Sequence, residues 1–135
     1  MCMAKADGPC FDVVVIGAGA AGLMSAIETG KRGRSVLVLE KSEKIGKKIL
    51  ISGGGRCNFT NLFAAPDRYL SHNAHFCKSA FQQYTQQDFI DLTQRHGVGF
   101  HEKKLGQLFC DDGASQITEM LAKECNLAGV TIWCG

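Results

Sequence analysis

The chain lacks the features that mark several classes of protein. No apolar run is long enough to cross a membrane, because glycines interrupt the most apolar region. The first ten residues contain one lysine and no continuous apolar segment, which is unlike a secretory signal peptide. We therefore expect a cytoplasmic protein. There is also no internal repeat and no linker rich in proline, glycine or serine, so we expect a leader over residues 1–10 and one domain over residues 11–135.

The chain has little net charge. A formal charge of +2 gives no indication of a nucleic-acid partner, and we expect neither nucleic acid nor a membrane as a partner. The charges are unevenly distributed, since residues 1–60 contain nine Lys and Arg against five Asp and Glu, whereas residues 61–135 contain six against eight. This distribution favours an acidic small molecule bound by the first half of the chain.

The cysteine pattern does not indicate a disulfide scaffold. There are seven cysteines, an odd number, and no C-x-x-C motif, so we expect reduced thiols. Cys57 follows Arg56 in a glycine-rich loop, where a thiolate could be stabilised, but no second cysteine lies nearby in the sequence to complete a redox pair. His72, His75 and Cys77 have no evident fourth ligand, so we expect no metal site.

A nucleotide-binding βαβ unit is the strongest pattern in the sequence. Residues 13–16 are apolar and mostly β-branched, which predicts a strand buried on both faces. Gly17 permits a sharp turn with positive φ, Gly19 lets the backbone approach a pyrophosphate, and Gly22 lets the next helix pack closely. The helix N-terminus then favours an anion. Residues 35–39 predict a second buried strand.

The acid after the second strand completes this pattern. Glu40 lies 18 residues after Gly22, where a carboxylate can accept hydrogen bonds from a ribose hydroxyl. A phosphate on that ribose would meet like charge, so the site favours FAD or NAD over NADP. A glycine-rich turn without a ligand is the alternative explanation.

A second glycine-rich segment follows. Gly46-Lys47-Lys48 and residues 53–58 provide further backbone amides and cations, which suits a long, folded cofactor, although a flexible loop with solvated charges is the alternative. Arg56 could bind a phosphate, and Asn58 could hydrogen-bond a ribityl chain or the edge of a flavin. The candidate cofactor-binding residues are Gly17, Gly19, Ala20, Ala21, Gly22, Glu40, Lys41, Lys48, Ser52, Gly53, Gly54, Gly55, Arg56, Cys57 and Asn58.

Residues 46–61, GKKILISGGGRCNFTN, resemble the signature of the BaiN-like bacterial flavoproteins, also described as NAD(P)/FAD-dependent or aminoacetone-oxidase-like oxidoreductases. The resemblance continues through residues 72–76, 88–92 and 101–109, and covers nearly all of the chain after residue 10. Many members have Phe-Pro where this chain has Phe109-Cys110, which we expect only to loosen a turn.

The resemblance implies a Rossmann-like α/β fold with a parallel sheet, of which this chain forms the N-terminal part. A complete relative would pass hydride from NADH or NADPH through FAD to an organic acceptor, such as an activated double bond, or to oxygen. Lys48 would contact the phosphates or the adenosine rim, and residues 52–58 the ribityl and ring region. Because relatives are much longer, we expect this chain to be inactive alone and to self-associate. No catalytic acid or base is evident.

Two other functions remain open from the residues alone. An NAD-dependent dehydrogenase would use the same first glycine motif, and a non-catalytic dinucleotide-binding module would bind without turnover.

The remainder of the chain predicts supporting structure. Thr85 and Asp88 indicate the start of a helix that ends near Gly97. Residues 98–102 and 107–109 predict a hairpin around a glycine turn, and a further helix begins at Ser115. Residues 130–134 predict a third parallel strand, which we expect beside the first strand.

Overall fold

The computed structural model describes residues 8–135. Most of the expected leader, residues 1–7, lies outside the described part of the chain. The elements in chain order are β1 (Val13–Ile16), α1 (Ala20–Lys31), β2 (Val36–Glu40), α2 (Lys47–Ile51), β3 (Asn58–Asn61), α3 (Lys78–Gln83), α4 (Gln86–Arg95), β4 (Phe100–Glu102), β5 (Gln107–Cys110), α5 (Ser115–Leu127) and β6 (Thr131–Cys134).

The chain divides into two compact units. The first unit contains the residues up to Gly46 together with Leu121–Gly135, and the second contains Lys47–Met120.

The first unit is built on a parallel sheet with the strand order β1-β2-β6. Val14 pairs with Leu37 in one ladder, and Leu39 pairs with Trp133 in the other. The predicted parallel sheet is therefore confirmed. The prediction that the third strand lies beside the first was wrong, because β6 pairs with β2 rather than with β1.

Burial explains why β2 is the central strand. Its residues Val36, Leu37 and Val38 are all buried, as expected for a strand with a neighbour on each side. In β1, by contrast, Val14 and Ile16 are 51% and 79% exposed. The prediction that β1 is buried on both faces was therefore wrong. Within residues 8–135, β1 pairs with β2 alone in the sheet of the first unit.

Helix α1 covers one face of this sheet through Leu23, Ala26 and Ile27, which are all buried. At its C-terminal end, a Cβ on Gly30 would collide with the backbone oxygen of Ala128. The segment that follows α5 thus passes close to α1, and a residue larger than glycine would not fit at position 30.

The second unit contains an antiparallel sheet with the order β3-β5-β4. The predicted hairpin is confirmed as β4 and β5, with His101 opposite Phe109. The ring of Phe59 packs against those of Phe89 and Phe100, with centroid separations of 5.9 and 5.4 Å. These contacts place an aromatic cluster between α4 and the sheet.

The predicted starts of α4 and α5 are also confirmed. Helix α4 begins after Thr85, whose hydroxyl accepts from the backbone amide of Asp88 at 3.3 Å, and Gly97 with φ of +67° follows its end. Helix α5 begins at Ser115 and buries Ile117 and Met120. Within residues 8–135, no helix has both the length and the apolar character needed to cross a membrane.

Candidate functional site

The turn after β1 is held by backbone contacts within the first unit. Gly17 has a φ of +96°, which an L side chain rarely adopts, and its amide donates to the carbonyl oxygen of Leu39 at 2.7 Å. Gly19 has an ordinary extended conformation, and its carbonyl accepts from Leu23 at 2.9 Å in the first turn of α1. The predicted turn at Gly17 is therefore present.

The Glu40 carboxylate connects this turn to the end of β2. One carboxylate oxygen accepts from the backbone amide of Ala18 at 2.7 Å, and the other accepts from the amide of Ser42 at 2.8 Å. The carbonyl of Ala18 in turn accepts from the amide of Gly46 at 2.8 Å. Ser42 and Gly46 support the turn through their backbone amides alone, so no side-chain signal in the sequence marks them for this role.

The second and third glycines of the motif, Gly19 and Gly22, differ in their surroundings. A Cβ on Gly19 would meet no atom within 4 Å, whereas a Cβ on Gly22 would collide with the carbonyl oxygen of Gly17 and lie 3.4 Å from Val15. Gly22 thus permits close packing, as predicted. Gly19 leaves open space beside the start of α1.

The N-terminus of α1 faces this open space with the properties of an anion site. The helix has 12 residues and no acidic residue in its first turn, and Gly19, Ala20 and Ala21 are exposed. The first amides of a helix lack intrahelical acceptors, and its dipole is positive there. The structure brings these residues together with Gly17, Gly22, Glu40 and Lys41 in one unit, where the side chain of Lys41 is exposed.

The other candidate residues belong to the second unit. Lys48 lies in the short helix α2 and is exposed. Gly53, Gly54 and Gly55 have φ values of +58°, +68° and +86°, so the loop needs three glycines in succession for conformational reasons.

These three glycines also differ in how closely they are packed. A Cβ on Gly53 would lie 2.8 Å from both the Asn58 amide nitrogen and the ring of Phe109. A Cβ on Gly54 or Gly55 would meet no atom within 4 Å, and both residues are exposed. Gly53 therefore supports the loop, while Gly54 and Gly55 offer accessible backbone.

Backbone hydrogen bonds fix both ends of this loop. Cys57 donates to the carbonyl of Ser52 at 3.0 Å, and the carbonyl of Gly55 accepts from Ala114 at 2.8 Å. The carbonyl of Arg56 accepts from the backbone amide of Cys110 at 2.9 Å, and Arg56 is exposed.

The side chain of Asn58 has fewer hydrogen-bonding groups available to a ligand than expected. With its side-chain amide oriented to satisfy its neighbours, the nitrogen donates to the carbonyls of Leu108 and Thr60, both at 3.1 Å. The side-chain oxygen then remains the group that could accept from a ligand.

The fold also supplies the partner that the sequence did not reveal for Cys57. The side chain of Cys57 lies beside that of Cys110, and both residues are buried. This contact is the main reason why the pKa of Cys57 falls to about 6, with a hydrogen bond to Ser52 acting in the same direction and desolvation opposing it. The same contact, together with burial, raises the pKa of Cys110.

No second cysteine lies near Cys57 in the sequence, as noted from the residues, and its neighbour in the fold comes from a distant strand. Cys57 directly precedes β3 and Cys110 ends β5, which are 53 positions apart in the sequence but adjacent in the sheet. The only sequence signal was a cysteine at the end of a predicted hairpin strand. Among residues 8–135, no group of three or more His, Cys, Asp or Glu side chains is arranged to hold a metal ion.

Comparison with known proteins gives a family match over nearly the whole chain. The model for the HI0933-like protein Rossmann domain matches residues 11–134. A protein of Escherichia coli named ribosomal RNA dihydrouridine synthase is 58% identical over 121 residues, which cover 90% of this chain and 30% of that protein.

A second relative is more distant. The 3-dehydro-bile acid delta(4,6)-reductase of Clostridium scindens is 31% identical over 124 residues, again 90% of this chain and 30% of that protein. The resemblance to the BaiN-like flavoproteins is therefore confirmed only at the level of the broader family. The bile-acid reductase is less similar to this chain than the Escherichia coli protein is. This chain spans about 30% of the length of both relatives.

A solved structure supports the fold. The structure of 3-ketosteroid-delta4-(5alpha)-dehydrogenase from Rhodococcus jostii RHA1 superposes with a TM-score of 0.62 and 18% identity, over 92% of this chain and 37% of that one. The predicted Rossmann-like α/β fold is confirmed.

Proposed function

The chain belongs to the HI0933-like protein Rossmann domain family, and we propose on this basis that it is the FAD-binding portion of a flavin-dependent oxidoreductase. The observation that carries the proposal is the 2.7 Å hydrogen bond between the Glu40 carboxylate and the amide of Ala18. It places an acid at the carboxyl end of β2 beside a glycine turn that opens a helix, which is the arrangement that binds an adenine dinucleotide.

The first unit would bind the adenosine and pyrophosphate part of FAD. Both Glu40 oxygens accept backbone amides, and a carboxylate at this position of a βαβ unit accepts hydrogen bonds from a ribose hydroxyl. The open space at Gly19 suits a pyrophosphate, which the amides at the start of α1 would stabilise. Lys41 would add a nearby positive charge.

The second unit carries its own set of groups suited to a flavin cofactor. The exposed backbone at Gly54 and Gly55 suits a flat ring or an anionic oxygen, and Arg56 would bind a phosphate through its guanidinium. Asn58 would accept a hydrogen bond through its side-chain oxygen. Lys48 and Ser52 would complete this set, with Lys48 directed to the phosphates.

FAD, when bound, supplies hydride transfer between a nicotinamide donor and an acceptor. The residues of this chain would hold and orient that cofactor, and we assign no catalytic acid or base among residues 8–135. NADH or NADPH as the donor is part of the proposal.

The acceptor is proposed from the relative with 58% identity, whose name specifies dihydrouridine synthesis in ribosomal RNA. The whole protein would reduce the C5–C6 double bond of a uridine, which is activated by conjugation with a carbonyl. The small net charge of +2 led us to expect no nucleic-acid contact by this chain, and that stays a prediction. The remainder of the protein would then bind the RNA.

Cofactor binding is tested by titrating the purified full chain with FAD, FMN, NAD⁺ and ADP while recording flavin fluorescence or heat. We expect FAD to bind and ADP to compete with it, whereas FMN, which lacks the adenosine, binds weakly. Gly19→Val should abolish FAD binding, because its side chain would occupy the open space. Gly8→Val is the matched control, since a Cβ on Gly8 also meets no atom within 4 Å but lies outside the motif. Tight NAD⁺ binding without FAD binding would contradict the proposal.

The acceptor is tested with the full-length protein, unmodified ribosomal RNA and either nicotinamide. We expect a uridine to gain two hydrogens by mass spectrometry, and the Gly19→Val variant to be inactive. If either nicotinamide reduces the flavin but the RNA gains no mass, the acceptor proposal fails while the cofactor proposal stands.

A further inference from the structure

We propose that Cys57 and Cys110 form a reversible disulfide when the protein meets hydrogen peroxide, with Cys57 as the attacking thiol and Cys110 as the resolving thiol. The pair lies wholly within the second unit. It requires no bound cofactor.

The strand pairing brings Cys57, which directly precedes β3, next to Cys110 at the end of β5. Asn58 is opposite Phe109 in the antiparallel ladder, and the amide of Cys110 donates to the carbonyl of Arg56 at 2.9 Å. Opposed residues on such strands have Cα atoms about 4.5–5.5 Å apart, and disulfides span about 4.4–6.8 Å between Cα atoms. The backbone hydrogen bond beside them and the burial of both side chains hold the two cysteines together, so little backbone movement is needed.

The backbone at Cys57 is unusual in a way that fits a reactive residue. Its φ is +50°, and among the described residues only Leu105 shares a positive φ without being glycine. Such a conformation is strained and persists where the surroundings enforce it. Here the hydrogen bond from Cys57 to Ser52 and the neighbouring strand β5 provide that enforcement.

The chemical environments assign different roles to the two thiols. The lowered pKa of Cys57, about 6, provides a thiolate at neutral pH, and the raised pKa of Cys110 keeps its proton in place to hydrogen-bond that thiolate. Cys125 is also buried, but desolvation and nearby Glu124 raise its pKa to about 11. It therefore serves as an unreactive comparison.

The oxidation balances without any further reagent. The Cys57 thiolate attacks one peroxide oxygen, so that an S–O bond forms, the O–O bond breaks, and the departing hydroxide takes a proton to become water. The Cys110 thiol then attacks the Cys57 sulfur, forming the S–S bond and breaking the S–O bond. The second hydroxide leaves with the Cys110 proton as water. Two thiols are oxidised by two electrons and one peroxide is reduced to two waters.

Access favours peroxide over a larger oxidant. Cys57 is only 5% exposed and Cys110 is fully buried, so a bulky disulfide reagent could not reach either sulfur easily. A thiol reductant should reverse the reaction slowly for the same reason.

The test treats the full chain, without FAD, with stoichiometric hydrogen peroxide and maps its peptides under non-reducing conditions. We expect a cross-linked peptide pair containing Cys57 and Cys110, which dithiothreitol removes. The wild-type map needs no variant and decides the matter: free thiols at both positions, or a sulfinic acid at Cys57 without a cross-link, would overturn the proposal. Because no flavin is present, this outcome is independent of the proposed cofactor.

Variants and a pH series separate the two roles. Cys110→Ser should stop at a sulfenic acid on Cys57, which dimedone traps when the oxidised protein is unfolded in its presence, whereas Cys57→Ser should form no cross-link and Cys125→Ser should behave as wild type. The rate at which hydrogen peroxide oxidises Cys57 in the wild type should rise with a midpoint near pH 6. A midpoint near that of an ordinary thiol would contradict the assigned attacking role.

Discussion

The carboxylate of Glu40 accepts the backbone amide of Ala18 at 2.7 Å, so the acid at the end of β2 holds the glycine turn that follows β1. Its second oxygen accepts the amide of Ser42 at 2.8 Å and orients the chain that leaves the strand. Glu40 thus has a structural task before any ligand binds. A ribose would meet a carboxylate that is already oriented, which lowers the entropy lost on binding.

Replacing Glu40 should therefore affect stability and binding together. Glu40→Ala leaves the amides of Ala18 and Ser42 without their acceptor, and we expect it to lower the free energy of unfolding by about 1–3 kcal/mol. Glu40→Gln keeps an oxygen for one of the two amides and should cost less. Urea denaturation without FAD measures both changes.

Both Glu40 variants should also bind FAD more weakly than wild type does. Unchanged stability in Glu40→Ala would show that the two hydrogen bonds contribute nothing to the turn. Unchanged FAD affinity in both variants would remove the assigned role of Glu40 at the ribose.

Gly19 and Gly22 should respond oppositely to alanine. Gly22→Ala forces a Cβ against the carbonyl of Gly17, so we expect a large loss of stability without FAD, in the range of about 1–3 kcal/mol that overpacking costs. Gly19→Ala has an ordinary φ of −82° and open space, so it should leave the unfolding midpoint unchanged and weaken FAD binding. Thermal unfolding and FAD titration of the two proteins test this pair.

The comparison between Gly19 and Gly22 also has a clear contrary outcome. If Gly19→Ala binds FAD as wild type does, no part of the cofactor passes close to that Cα. If Gly22→Ala is fully stable, the helix can move away from the turn and the close packing is not required.

Local chemistry explains which parts of this fold could be predicted from the sequence. The turn at Gly17, the helix start at Thr85 and the hairpin before Gln107 each depend on residues within a few positions of one another. Their conformations follow from φ preferences and side-chain caps. The same reasoning placed Glu40 at the glycine turn, since the spacing of a βαβ unit is nearly constant.

Contacts between distant segments explain what could not be predicted. The position of β6 beside β2 depends on which strand has a free, apolar edge, and the pattern of residues 130–134 does not encode that choice. The meeting of Cys57 with Cys110 requires the pairing of β3 with β5. Gly30 has no local signal either, because its constraint comes from Ala128.

The N-terminal cap of α4 should contribute a pH-dependent part of the stability. Hydrogen bonds from the Thr85 amide and hydroxyl, at 2.6 and 2.7 Å, hold the pKa of Asp88 below its usual value. The folded state therefore prefers the ionised form, and this stability is present above the unfolded pKa of about 3.9 and is lost as the pH falls through the folded pKa. Thr85→Ala should cost about 1 kcal/mol at neutral pH.

Urea denaturation from pH 7 down to pH 2.5 measures this effect. We expect Asp88→Asn to be less stable than wild type at pH 7 and the difference to shrink in acid. Asp91→Asn is a control on the same helix, outside the cap. A difference between Asp88→Asn and wild type that stays constant with pH would contradict the role of the ionised carboxylate.

The exposed face of β1 should make this chain self-associate. Val14 and Ile16 are 51% and 79% exposed although they occupy a strand, and Trp133 on β6 is 51% exposed. Apolar side chains on a sheet are normally covered, and burying them against a second copy would release their hydration water. Sedimentation analysis should show a concentration-dependent rise in mass. Replacing both residues in Val14→Thr/Ile16→Thr, which keeps the β-branched shape, should reduce it, whereas Leu70→Thr, at a position 96% exposed, should not. If Leu70→Thr lowers the association as much as the double variant does, nonspecific hydrophobic association rather than the β1 face causes it.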